Sequence, residues 1–288
     1  MTNIKLYQCF HDQGSIPDSK YIDDIRPALL CGASLKDRGT DNITNCLRDN
    51  APNGLIYDDI SSENRQYSEL TGYYWIWKHQ PEVDIVGIEH YRRHFIKHEA
   101  IIDDYVHSED LITKEDIANI LLSYDYIVPV HESLWNTSVY DLYVICFHEQ
   151  ADEIVKWMAE YFKDKPNYLE AVYNYFSQNE LYRGNMIITT KREFDNYCKV
   201  MFDMLFYMKK HMTVEPDSRV WGYVSEVFPM IYIMANNKTF KEVDVAIDDF
   251  DWETQTASVH TTQKNEEGEF KNNPKEQIEY FKTLRIKS

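Results

Sequence analysis

At 288 residues, with 43% apolar and 27% charged side chains and only 9 Gly and 9 Pro, the chain has the composition of a folded globular protein, which excludes disordered and fibrous classes. Its 48 acidic against 30 basic residues give a formal charge of -18, which repels polyanions and argues against nucleic acid as a partner. A phosphorylated small molecule stays open, because two or three local cations and some backbone amides suffice to hold a diphosphate.

Residues 4–10 (IKLYQCF) are an apolar run closed by His11, Asp12, Gln13 and Gly14, the pattern of a buried first strand ending in a polar loop. Such strand-end loops are where α/β folds bind ligands. From Pro17 to Asn53 the turn-rich stretches DRGTDNITN and APNG predict a long ordered loop with short helices. Residues 61–79 (SSENRQYSELTGYYWIWKH) set Tyr67, Leu70, Tyr74 and Trp77 at three- and four-residue steps, which predicts one amphipathic helix stopping before Pro81. Residues 83–90 (VDIVGIEH) then predict a short apolar strand that carries Glu89 to Phe95 (EHYRRHF) at its end.

Residues 108–123 predict a helix with Thr113 as N-cap, and 124–130 (YDYIVPV) another buried strand. Tyr- and Phe-rich helices are expected at 138–163 and 166–179, then a strand at 186–190 (MIITT) introduced by Arg183, Gly184 and Asn185. The periodicity from Phe194 to His211 predicts a further helix, and 217–236 another, kinked at Pro229. Past Asp244 the chain is polar, an arm or peripheral strand with a terminal helix. The alternation predicts a single α/β domain over 1–240, a mixed, mostly parallel sheet flanked by helices, with 241–288 as a polar extension packing on it or extending from it.

Cys9, Cys31, Cys46, Cys146 and Cys198 are odd in number and lack CxxC spacing, which points to reduced thiols. With no leader pattern in MTNIKLYQCF and no run approaching 18 apolar residues, a cytoplasmic location is expected. The 22 Tyr, 13 Phe and 6 Trp fit either stacking on sugars or an aromatic core, and the count alone does not choose.

Three segments can carry chemistry. In EHYRRHF the planar forks of Arg92 and Arg93 suit a diphosphate, or they neutralise acidic neighbours. His90 and His94 are spaced for a metal only if the segment were helical, which the strand assignment opposes. Gly184 and Asn185 combine close backbone approach with an amide able to bond sugar hydroxyls, or form a plain turn. In SRVWGYVSE, Arg219, Gly222 and Glu226 share a helical face beside Trp221 and Tyr223. Glu226 is then either a carboxylate raised in pKa for general-base work or a partner of Arg219.

Read as one unit, YSELTGYYWIWKHQPEVDIVGIEHYRRHF resembles the signature of the domain-of-unknown-function family 4422, found among capsular and exopolysaccharide glycosyltransferases. His11, GTDNITN, YDYIVPV, GNMII and RVWGYVSEVF follow in the order the family has, so the likeness covers roughly residues 4–236. The resemblance implies a GT-A-like (Rossmann-like) nucleotide-binding sheet and transfer of a hexosyl unit, galactose among the candidates, from a UDP-sugar to a lipid-linked or oligosaccharide acceptor. It implies donor contacts from Gln8, His11, Asp41, Asn42, Glu69, Lys78, His90 and Tyr91, and acceptor contacts from Asn185, Arg219 and Trp221. Glu226 would be the base. Where related folds keep an Asp-x-Asp motif for manganese or magnesium, this chain has EHYRR, so Arg92 and Arg93 are expected to neutralise the leaving diphosphate in a metal's place. A divalent cation as cofactor remains an open alternative. Peripheral contact with the inner membrane face would follow from a lipid-linked acceptor. The rival readings are a non-catalytic carbohydrate-binding module and another transferase using a nucleotide sugar.

Overall fold

The computed structural model describes residues 2–50, 58–97, 107–251, 256–261 and 274–284. Its strands are β1 (Ile4–Phe10), β2 (Ala28–Leu30), β3 (Leu47–Arg48), β4 (Ile85–His90), β5 (Arg93–Phe95), β6 (Tyr126–Pro129), β7 (Glu132–Ser133), β8 (Glu180–Leu181), β9 (Ile188–Thr190), β10 (Phe240–Val243), β11 (Val245–Asp251) and β12 (Thr256–Thr261). The helices are α1 (Asn64–Tyr67), α2 (Leu70–His79), α3 (Lys114–Ile120), α4 (Val139–Phe147), α5 (Gln150–Tyr161), α6 (Pro166–Ser177), α7 (Lys191–Lys209), α8 (Val220–Glu226), α9 (Phe228–Ala235) and α10 (Pro274–Thr283).

The near-continuous apolar runs of β1 and β4 mark strands covered on both faces, and they lie side by side, parallel, in the middle of the main sheet. The order is β10-β6-β9-β4-β1-β2-β3. Neighbours along it are parallel except β9, which runs antiparallel to both β4 and β6. That reversal has a functional consequence: the start of β9, with Gly184 and Asn185 just before it, lies at the carboxyl ends of β1 and β4. The molecule is thus a mixed, mostly parallel sheet flanked by helices in a single domain.

One face of the sheet, through Tyr7, Cys9, Val86 and Ile88, packs on the large aromatic cluster of α2 and α4–α9. The other, through Ile4, Leu6, Ile85 and Ile188, packs on Ile117 of α3 and Val245 of β11. Thr113 caps α3 as its sequence predicts, accepting the Asp116 amide at 3.2 Å.

Three helices expected to be continuous are broken. Residues 61–79 divide at Ser68 (φ 51°), and 138–163 divide at His148 (φ 51°). In 217–236 the helix begins only at Val220, after Arg219 in the left-handed region. It divides at Val227, so that Pro229 enters the first turn of α9, where its missing N–H costs nothing. The border expected at residue 240 falls inside β10, a strand of the main sheet. Beyond it β11 pairs antiparallel with β5, and Phe281 of α10 is fully buried against Tyr140 and Tyr173.

Candidate active site

Strand alternation divides the EHYRRHF cluster between two faces of the sheet. The chain turns at Tyr91 and Arg92, with His90 paired to Arg93 across the β4–β5 hairpin. Glu89 and His94 fall on the face of Gln8 and are fully buried with it. Glu89 accepts the Phe95 amide at 3.0 Å and Gln8 Nε2 at 3.3 Å, and lies 3.5 Å from Arg26 and 3.6 Å from His94. Burial alone would raise the Glu89 carboxyl. His94, Arg26 and the Phe95 amide outweigh it and hold the group below its ordinary range. This buried network fixes the hairpin from beneath. His90 and His94 therefore face apart and cannot share an ion.

On the opposite face, at the carboxyl ends of β1 and β4, lies a cleft of 340 Å³ whose walls carry Arg38, Arg65, Arg92, Arg93 and Arg219. Each element supplies its cation differently. Arg38 donates to Asn64 Oδ1 at 2.6 Å, Arg65 is held by Asp37 and by Asp217 at 3.3 Å, and Arg219 Nε donates to Ser68 Oγ at 3.1 Å. Arg92 lies over the Tyr91 ring, 5.5 Å from its centre. Burial, then the charge of Arg65, lowers the Arg38 pKa. Burial also lowers the pKa of His11 and of His90, against the pull of Asp12 and Glu69, and so favours their neutral, hydrogen-bonding forms. His90 Nε2 donates to the Gly184 carbonyl.

Two carboxyls face these cations, Glu69 and Glu226. Asn185, buried and held at φ 50°, donates its side-chain Nδ2 to Glu69 Oε1 at 2.6 Å and to the Gly222 carbonyl at 3.0 Å, and its backbone carbonyl accepts the Tyr73 hydroxyl. It ties three segments distant in sequence. Beside it Gly184 has φ +90°, and a Cβ there would stand 2.9 Å from Arg93 Nη1. Glu226 keeps partial solvent contact through the cleft, yet desolvation dominates its chemistry. Together with the charge on Glu69 it raises the carboxyl from 4.5 to about 7, against the pull of Arg93 and Arg183. Glu226 also lines a second cavity, of 730 Å³, which shares Arg93 and Tyr223 with the cleft.

Of the residues singled out in sequence, His11, Glu69, His90, Tyr91, Arg92, Arg93, Arg219 and Glu226 line the cleft. Asn185 acts one layer behind, through Glu69. Five do not reach it. Gln8 points to the other face of β1, where it bonds Glu89 and the Tyr21 carbonyl. Asp41 and Asn42 lie exposed on a 3-10 turn. Lys78, at the far end of α2, lies over the Trp77 ring and 3.4 Å from Asp58. Trp221 is wholly buried against Tyr67. Arg38 and Arg65, in DRG and ENRQ, line the cleft without a motif of their own; the sequence signal for them is an arginine within two residues N-terminal to GTDNITN and to YSELTG in an acidic chain.

Among the described residues no three His, Cys, Asp or Glu side chains group closely enough to hold a metal ion. The arginine-dominated donor set of the cleft does not suit a divalent cation.

Residues 5–238 match the model of the family described as Domain of unknown function (DUF4422). Among curated proteins none matches significantly. Among solved structures the chain is similar to the apo structure of the bifunctional glycosyltransferase WbbM, with a TM-score of 0.69 and 24% identity over 84% of this chain and 45% of that one. The chain thus spans under half the length of that protein, and the likeness establishes a shared fold.

Proposed function

The chain belongs to the DUF4422 family, and from that premise we propose that it is a glycosyltransferase moving a hexosyl unit from a UDP-sugar to a hydroxyl of a lipid-linked or oligosaccharide acceptor in surface-polysaccharide assembly. Galactose, pyranose or furanose, is the first donor to try. One observation carries the reading: Glu226, with a carboxyl raised to about 7, stands where an arginine-lined cleft meets a second cavity. A donor diphosphate in the first and an acceptor in the second would meet at that carboxylate.

In this mechanism ionised Glu226 takes the proton of the acceptor hydroxyl as its oxygen attacks the anomeric carbon. The bond from that carbon to the phosphate oxygen breaks on the opposite side, which inverts the centre. UDP departs with the charge, neutralised by Arg92 and Arg93 with Arg219 nearby. A base with a pKa near the working pH combines a sizeable ionised fraction with proton affinity. A lipid-linked acceptor would be met by peripheral contact with the membrane face.

A screen of UDP-hexoses for UDP release, with and without acceptor, tests the activity. UDP binding by calorimetry separates it from a glycan-binding module, which would bind glycan and not nucleotide. Turnover should survive EDTA; loss on chelation, restored by manganese, would refute arginine neutralisation.

A further inference from the structure

The second cavity lies between the cleft and α4, whose sequence VYDLYVICF is apolar almost all round. Such a helix is ordinarily buried on every side. Here Ile145 is 65% exposed, and Val144 and Cys146 are exposed beside it. The inner side of the helix builds an aromatic shelf: Phe147 lies 5.2 Å from Tyr143 and 5.8 Å from Tyr223, and the Tyr143 hydroxyl donates to the Tyr223 carbonyl at 2.7 Å. Leu142, Leu181 and Val220 complete an apolar wall, while Arg183 is engaged by Glu132 at 2.6 Å. At 730 Å³ the cavity is of ligand size.

Resting on the glycosyltransferase reading, we propose that this cavity is the acceptor subsite, and that it selects acceptors whose sugar carries an apolar aglycone. The sugar bearing the nucleophilic hydroxyl meets Glu226, Arg93 and the face of Tyr223. Its aglycone leaves along Phe147 and Cys146 onto Val144 and Ile145. A free oligosaccharide would need polar partners along its whole length; the cavity lining supplies His148, Gln150 and Ser218, whereas the exposed surface of α4 at Val144 and Ile145 supplies no polar side chain. The continuity of the cavity with the cleft, through three shared residues, makes an acceptor the fitting occupant rather than an unrelated partner.

Cys146 is a free, exposed thiol on the cavity wall, whereas Cys9, Cys31 and Cys198 are buried. In a Cys46→Ser background, the rate at which N-ethylmaleimide alkylates Cys146 reports occupancy without any need for turnover. Octyl β-galactoside, below its micelle-forming concentration, should slow alkylation about fivefold where methyl β-galactoside at equal concentration does not, since burying even two methylenes is worth about an order of magnitude in affinity. The alkylated protein should show a KM for octyl glycoside raised by about tenfold, with UDP affinity unchanged. A Cys146→Ser protein should be insensitive to the reagent. With UDP binding intact, equal protection by both glycosides would overturn the selection for an apolar aglycone, and protection by neither would overturn the subsite itself. Protection by octyl glycoside in a protein that binds no UDP would overturn the glycosyltransferase reading and with it the acceptor assignment. Protection by lipid vesicles but not by octyl glycoside would give this face to a bilayer instead.

Discussion

Replacing Glu226 with Gln tests the chemistry and the electrostatics of the site in one protein. The folded chain holds the Glu226 proton up to pH about 7, whereas the unfolded chain releases it near 4.5. Between those values the folded state binds more protons, so this residue's contribution to stability is fully present below pH 4.5 and is lost as pH rises through 7. The difference of about 2.5, at about 1.4 kcal/mol each, makes the ionised carboxylate cost about 3 kcal/mol at pH 8. Gln resembles the protonated acid and does not titrate. Urea unfolding should therefore find the two proteins similar near pH 4.5 and the Gln variant about 3 kcal/mol more stable at pH 8. In the same variant kcat should fall by about 10²- to 10⁴-fold, and the alkaline-rising limb of the wild-type rate, centred near pH 7, should disappear. A stability difference that does not change with pH would refute the buried, neutral carboxyl. A folded variant that kept most of its rate would remove Glu226 from the mechanism.

Arg93→Ala should weaken UDP binding by about tenfold or more, since a charge-assisted contact to phosphate is lost. Because Arg93 draws the Glu226 pKa down, the rate limb should also move to higher pH, and Arg93→Lys should restore the limb better than the affinity. Gly184→Ala sets a Cβ against the Arg93 guanidinium at positive φ and should cost about 1–3 kcal/mol of stability with weaker UDP binding, by denaturation and calorimetry. Thr113→Ala, which removes the α3 cap far from the cleft, should cost about 1 kcal/mol and leave kcat/KM unchanged.

Four strands of the main sheet, β1, β4, β6 and β9, were legible as apolar runs bounded by turn residues, and the placement of Arg92 and Arg93 at a strand end followed from them; short strands such as β3 and β10 lack such a run. What the sequence withheld was which way each residue faces. Moving one residue along β1 exchanges Cys9, in the cleft, for Gln8, locked to Glu89 on the other side. The helix breaks at Ser68 and His148 carry no Gly or Pro to announce them. Ser68 is held in place locally by Asn64, four residues earlier, which donates to its carbonyl, and by Arg219, 151 residues away, which donates to its hydroxyl; only the second is a long-range consequence of the fold. Arg38 and Arg65 reach the cleft from a 3-10 turn (Lys36–Arg38) and a one-turn helix, elements whose direction no periodicity encodes.

The pairing of β11 with β5 has a meaning for how the protein is made. The Asp248 amide donates to the Arg92 carbonyl at 2.8 Å, and the Tyr21 hydroxyl, 227 residues away in sequence, donates to the Asp248 carboxylate at 3.2 Å. A chain emerging from the ribosome can lay β1 beside β4 long before this clamp exists. The turn that carries the arginines, already held from beneath by the Glu89 network, gains this second fastening only once β11 has been synthesised, so full donor affinity should be acquired after the sheet that bears it has formed.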